Sequence, residues 1–199
     1  MGGSSTEVNY INRTYGIGRS KIVRRKSIDF NSTEKFDRFK LREELNLPQE
    51  KYIIIHVGNL NESKGIINII NSYKCLDRNL FDLIFIGGKG DDKILDLINS
   101  SGAKHLGFKK NAEVLEYLAA SNLCVTAMTK KEWRFFAGFG TTPVESLCVN
   151  TPILTTQMKH FPAPSKYVKY VGEQIIDLSN FSKQIISISE NNKLKLDNN

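Results

Sequence analysis

Apolar residues along this chain come in two spacings, and the alternation between them sets the expected fold. Tyr52-Ile53-Ile54-Ile55-His56-Val57 is continuously apolar apart from one histidine, as a strand covered on both faces must be. Phe81 to Ile86 is a second such run, broken only by Asp82, and Leu123 to Met128 is a third. Pro152-Ile153-Leu154 is a shorter candidate, and Tyr167 to Val171 reads as an edge strand. Between them the spacing turns helical. Ile66, Ile67, Ile69, Ile70 and Tyr73 share one face, as do Ile94, Leu95, Leu97 and Ile98, and then Val114, Leu115, Tyr117 and Leu118. Strand, glycine turn, helix, strand is the pattern of βαβ units in a parallel sheet, so the fold class is α/β, Rossmann-like, with helices flanking the sheet.

Upstream, Ser20 to Arg25 reads as a short strand. Thr33 is placed to cap a helix through Phe36, Phe39, Leu41 and Leu45 that Pro48 ends. The expected organisation is a flexible segment over 1–19, one domain over 20–190 and a polar tail over 191–199. No internal repeat is found.

Composition narrows the class. With 199 residues, 40% of them hydrophobic, one domain can bury a core without staples. Three cysteines without a CxxC make no disulfide framework. Cys75, Cys124 and Cys148 lie in apolar contexts and read as buried, reduced thiols of a cytosolic protein. No run approaches the roughly 18 apolar residues of a membrane span, and no secretory h-region is present. Met1-Gly2-Gly3-Ser4-Ser5-Thr6 formally matches a myristoylation start, but a flexible tail is the favoured reading. The net charge of +7 suggests an anionic partner. Nucleic acid is disfavoured, since no basic helix with interleaved aromatics and no zinc or RNP-type signature occurs. His56, His105 and His160 are scattered and read as core or surface residues, so no metal is expected.

Candidate chemistry lies in the loops after the strands, where open α/β sheets bind ligands. Gly58, Lys64 and Gly65 follow the first strong strand, and a lysine there can neutralise a phosphate oxygen. Gly87-Gly88-Lys89-Gly90 follows the second, without a dinucleotide fingerprint. Further on, Gly138, Phe139 and Gly140 precede Thr141-Thr142-Pro143-Val144-Glu145. Thr142, Pro143 and Glu145 fit a capping box that needs no ligand. The same helix start, bared by two glycines, also suits a diphosphate.

These motifs, in this order, resemble the C-terminal, donor-binding half of group 1 glycosyltransferases of the GT-B architecture. The carriers are Val57-Gly58-Asn59-Leu60 with Lys64-Gly65, then Ile86 to Gly90, His105-Leu106-Gly107-Phe108 and Leu118 to Asn122. Gly138 through Glu145-Ser146 and the outgoing run to Pro152 complete the series. The likeness extends from about Lys21 to Pro164.

The resemblance implies that Lys64 contacts the diphosphate of a nucleotide-sugar donor and that Glu145 accepts from the ribose hydroxyls. The amides of Phe139 to Thr142 would meet phosphate, with Gly58, Asn59 and Gly87 lining the site and Gly107 and Phe108 near the base. No catalytic residue is assigned and no cofactor is required beyond the donor substrate. Two positions depart from the family pattern. Asn59 replaces an arginine, and Ala137 replaces the first glutamate of the E-x7-E segment; Glu132 and Arg134 are candidate compensations.

The implied activity is transfer of a sugar from a nucleoside diphosphate to a glycan or lipid-linked acceptor in polysaccharide assembly. The acceptor would be held by an N-terminal domain expected to be missing here. A cytoplasmic location, with peripheral association at the inner membrane face, is expected. Alternatives are a non-catalytic partner subunit with a degenerate donor site and a GT-B-like nucleotide-sugar epimerase.

Overall fold

The computed structural model of the chain describes residues 36–88, 90–129, 141–156, 168–171, 182–183 and 185–190. Strands β1 (Tyr52–Val57), β2 (Phe81–Ile86), β3 (Lys104–His105), β4 (Leu123–Thr126), β5 (Ile153–Thr156) and β6 (Val168–Val171) form one sheet in the order β3-β2-β1-β4-β5-β6. Every pairing is parallel. Helices α1 (Arg38–Glu44), α2 (Ile66–Tyr73), α3 (Asp92–Ser100), α4 (Asn111–Ala120) and α5 (Thr141–Cys148) connect or flank the strands.

Continuous apolar runs make the central strands because both faces of the sheet are covered. Alternate residues of β1 enter different cores. Ile54 packs with α2 and α3 through Ile66, Ile69, Ile70, Ile94 and Ile98. Ile53 and Ile55 pack with α1 and α4 through Leu41, Val114, Leu118 and Ala119. Each fully buried isoleucine contributes roughly 1.5–3 kcal/mol, and a one-residue slip of β1 would exchange the two sets. Register is thereby fixed, from Tyr52 beside Phe81 to Val57 beside Ile86.

Several expectations are corrected. Asp37, not Thr33, caps α1: its carboxylate accepts from the amides of Phe39 and Lys40, and Thr33 lies outside the described residues. Asn46 at φ 52° ends that helix before Pro48 is reached. Phe39 is 68% exposed, because α1 turns Leu41 and Arg42 inward and a residue two positions away faces elsewhere. Cys75 is also exposed and Cys148 partly so, whereas Cys124 is buried as expected.

The strand order reverses beside β1. From β1 the chain runs outward to β2 and β3, then α4 returns it to β4 on the other flank. Such a switch point opens a crevice beyond the carboxyl ends of the two strands. The site therefore belongs between the loops that leave β1 and β4.

Candidate functional site

Those loops are tied together by backbone contacts. After β1, Gly58 takes φ 143° and its amide donates to Ile86 O at 2.9 Å. Leu60 is buried and anchors the loop. Asn61 then organises a single 3-10 turn over Glu62–Lys64, its side chain accepting from the Lys64 amide at 3.1 Å and from Ser63 Oγ at 2.7 Å.

Gly65 follows at φ 69°, and a Cβ there would lie 1.8 Å from Ala127 O. Only glycine permits that approach of the β1 loop to the end of β4. Thr129 fastens the same two loops, its amide donating to Ser63 O at 3.1 Å and its hydroxyl to Glu62 O at 3.1 Å.

Helix α5 meets the end of β1 from its other side, where Thr142 Oγ1 donates to Val57 O at 3.3 Å. This contact overturns the expected capping box. Thr142 lies inside the helix, which already includes Thr141, and its hydroxyl is spent on β1. Position 140 is a glycine and has no side chain with which to cap.

Glu145 is consequently not a capping residue. Its side chain is buried, and no described residue pairs with it; burial raises its pKa above the ordinary carboxylate value. Lys64 is half-buried without a described acidic partner, and burial lowers its pKa. A cation and a carboxylate are thus held, unpaired among the described residues, on elements that both attach to the end of β1.

The remaining candidates separate into two kinds. A Cβ on Gly87 would sit 1.9 Å from Gly58 O, so this glycine is required by loop-to-loop packing before any ligand is considered. Gly107, at φ 68°, has nothing within 4 Å of its Cβ direction, and Phe108 beside it is 79% exposed. Gly107 O accepts from the Gly87 amide at 3.0 Å, which joins the β3 loop to the same end. Asn59 is exposed at the rim. Glu132, Arg134, Ala137, Gly138, Phe139 and Gly140 lie outside the described residues.

His56 is a core histidine, as the sequence suggests, but with a polar atom left over. His56 is 2% exposed, and its Nδ1 lies 2.9 Å from Val125 O. A carbonyl partner assigns the hydrogen to Nδ1, leaving a lone pair on Nε2. No described residue partners that buried Nε2. Burial, followed by the nearby charge of Lys64, pushes the ring pKa down to about 4. The single break in an otherwise apolar strand was the available signal. His105 differs: its Nε2 lies 3.3 Å from Gly87 O. Among the described residues no group of His, Cys, Asp and Glu is arranged to hold a metal ion. No helix among them is long and apolar enough to cross a membrane.

A parallel sheet in this order, reversing beside β1 and flanked by helices, defines a Rossmann-like α/β domain. The family of glycosyl transferases group 1 matches residues 37–198, and the chain belongs to it. The chain is 24% identical over 148 residues to an uncharacterized 41.2 kDa protein in the cps region of Klebsiella pneumoniae, covering 74% of this chain and 39% of that protein. It is 28% identical over 124 residues to an uncharacterized glycosyltransferase of Methanocaldococcus jannaschii, covering 59% of this chain and 29% of that one. The chain therefore spans well under half the length of these two relatives. Among solved structures, HepE of Anabaena in complex with UDP and glucose superposes with a TM-score of 0.70 at 17% identity. That superposition covers 95% of this chain and 53% of that one. The fold is that of GT-B glycosyltransferases.

Proposed function

We propose that this chain is the donor-binding domain of a retaining glycosyltransferase and holds a nucleoside-diphosphate sugar in the crevice beyond β1 and β4. The observation that carries this reading is that the Lys64 turn, which leaves β1, packs at Gly65 against Ala127 O at the end of β4, while the start of α5 is bonded to the end of β1 through Thr142 on Val57 O. Lys64 meets the diphosphate, joined by the amides of Phe139 to Thr142. Glu145 accepts from the ribose hydroxyls, Gly58, Asn59 and Gly87 line the floor, and Gly107 and Phe108 lie near the base. As the bond from the anomeric carbon to the diphosphate oxygen breaks, negative charge grows on the leaving group. A half-buried lysine and helix amides stabilise that charge without a metal.

Acceptor attack requires a held glycan or lipid-linked acceptor, which we assign to a preceding domain. The Klebsiella relative, from a cps region, supports a role in polysaccharide assembly. HepE, solved with UDP and glucose, supports a UDP-sugar donor. A cytoplasmic site of action at the inner membrane face fits the basic charge.

Asn59 and Ala137 favour a second reading, a partner subunit with a weakened donor site. Calorimetric titration with UDP, GDP and their sugars separates the two. One nucleoside diphosphate is expected to bind, and Lys64→Ala and Glu145→Ala each to weaken it at least tenfold, about 1.4 kcal/mol. Absence of binding by all of them at millimolar concentration sinks the donor-site reading and leaves the partner subunit.

A further inference from the structure

The unpartnered nitrogen of His56 lies near the end of β1, from which the Lys64 turn departs. A histidine serving only the core would fill the space beside Phe85, whose ring centroid is 5.8 Å away, a task that an apolar side chain performs without cost. Instead β1 carries an imidazole with one nitrogen bonded to Val125 O and the other buried without a described partner. A buried acceptor left without a donor is costly to the fold. The direction of Nε2 is informative. A Cβ on Gly58 would lie 3.7 Å from it, so the nitrogen faces the end of β1 where the Lys64 turn begins. Lys64 is close enough for its charge to act on the ring.

We propose that His56 is a positioning residue for Lys64: with a diphosphate bound, Nε2 accepts one N–H of the ammonium and leaves the other two for phosphate oxygens. This rests on the reading that Lys64 contacts the diphosphate. An ammonium carries three donors on a flexible stem and orients poorly by itself. A fixed acceptor behind it supplies the missing direction. The ring must be neutral to accept, and its burial holds it so at physiological pH. A cationic ring would repel Lys64 instead.

The test is calorimetry on the full chain with UDP, GDP and the corresponding nucleosides, for His56→Asn, His56→Gln, Lys64→Met and the double variant His56→Asn/Lys64→Met. Asparagine keeps an N–H where Nδ1 donates to Val125 O but has no atom at Nε2; glutamine restores an acceptor near Nε2. His56→Asn is expected to weaken the nucleoside diphosphate that binds by about fivefold, leave its nucleoside unchanged, and add nothing in the Lys64→Met background. His56→Gln is expected to recover most of the loss. Equal loss for nucleoside and diphosphate, or an undiminished His56→Asn effect without Lys64, overturns the proposal while the Lys64 reading stands. If Lys64→Met binds as tightly as wild type, the Lys64 reading itself fails.

A measurement on the wild-type chain does not depend on any variant folding. The 15N resonance of His56 Nε2 should move on addition of the nucleoside diphosphate as its lone pair accepts a hydrogen bond, with Nδ1 unmoved. An unmoved Nε2 resonance at saturation overturns the proposal.

Discussion

The two ends of the sheet bury polar groups on opposite terms. At the amino end, Arg42 is 3% exposed and each of its three guanidinium nitrogens donates. It donates to Ala120 O at 2.9 Å, Gln49 O at 2.8 Å, Lys51 O at 3.1 Å and Pro48 O at 3.3 Å, and also to Asn122 Oδ1. Asp82, the break in the β2 run, is held by Lys51 at 2.8 Å and Lys104 at 3.2 Å. At the carboxyl end Lys64, Glu145 and His56 Nε2 have no described partner, though all three are buried or half-buried. Unmet buried polar groups are uncommon and mark places where a ligand can meet them, although Ser72 Oγ on α2 is also buried without a described hydrogen-bond partner. Polar groups are satisfied at one end of the strands, and the proposed donor site lies at the other.

Arg42→Met breaks the satisfied end most severely, because several buried acceptors lose their donor together. A loss of about 3 kcal/mol or more is expected, read from the urea midpoint, and a change below about 1 kcal/mol would contradict the role given to that network.

Acid probes the other end with a comparable magnitude. The folded pKa of His56 is depressed to about 4 from 6.5, so the unfolded chain binds the extra proton. The contribution is complete above about pH 6.5 and lost as pH falls toward 4. It amounts to something on the order of 3 kcal/mol. Glu145, with its raised pKa, contributes in the opposite direction, so the quantity to measure is the wild-type slope minus that of His56→Asn. Identical slopes would contradict a buried neutral ring.

Gly65→Ala tests the joint between the β1 and β4 loops. It combines a positive φ with a Cβ 1.8 Å from Ala127 O, and about 2 kcal/mol of destabilisation together with weaker nucleotide binding is expected. A variant as stable as wild type would mean that the loops are not so closely apposed. The smallest effect belongs to Lys104→Ala. Its side chain is 48% exposed, and Lys51 still holds Asp82, so less than about 1 kcal/mol should be lost in thermal denaturation.

Particular residues show what the sequence made legible. Ile53 to Ile55 and Leu83 to Ile86 announce doubly covered strands through unbroken apolarity, and a parallel sheet then sends all the following loops to one end. By that rule Lys64 and Thr142 fall at the same end of the sheet from the sequence alone. What escaped it depends on contacts between distant segments. At Gly87 the need for glycine comes from Gly58 O, 29 residues earlier, which excludes a side chain there. Thr142 fitted a local cap but is claimed by Val57, 85 residues away. The β3 strand has two residues, too few for any periodicity to register. For His56 the residue was visible and its second nitrogen was not, since a missing partner exists only in three dimensions.

A crystal structure of the chain grown with the nucleoside diphosphate that binds it would test the central claim most directly. The account predicts phosphate oxygens within about 3.2 Å of Lys64 Nζ and of the first amides of α5, with ribose hydroxyls on Glu145. A diphosphate bound away from the carboxyl ends of β1 and β4, leaving Lys64 and Glu145 untouched, would contradict it.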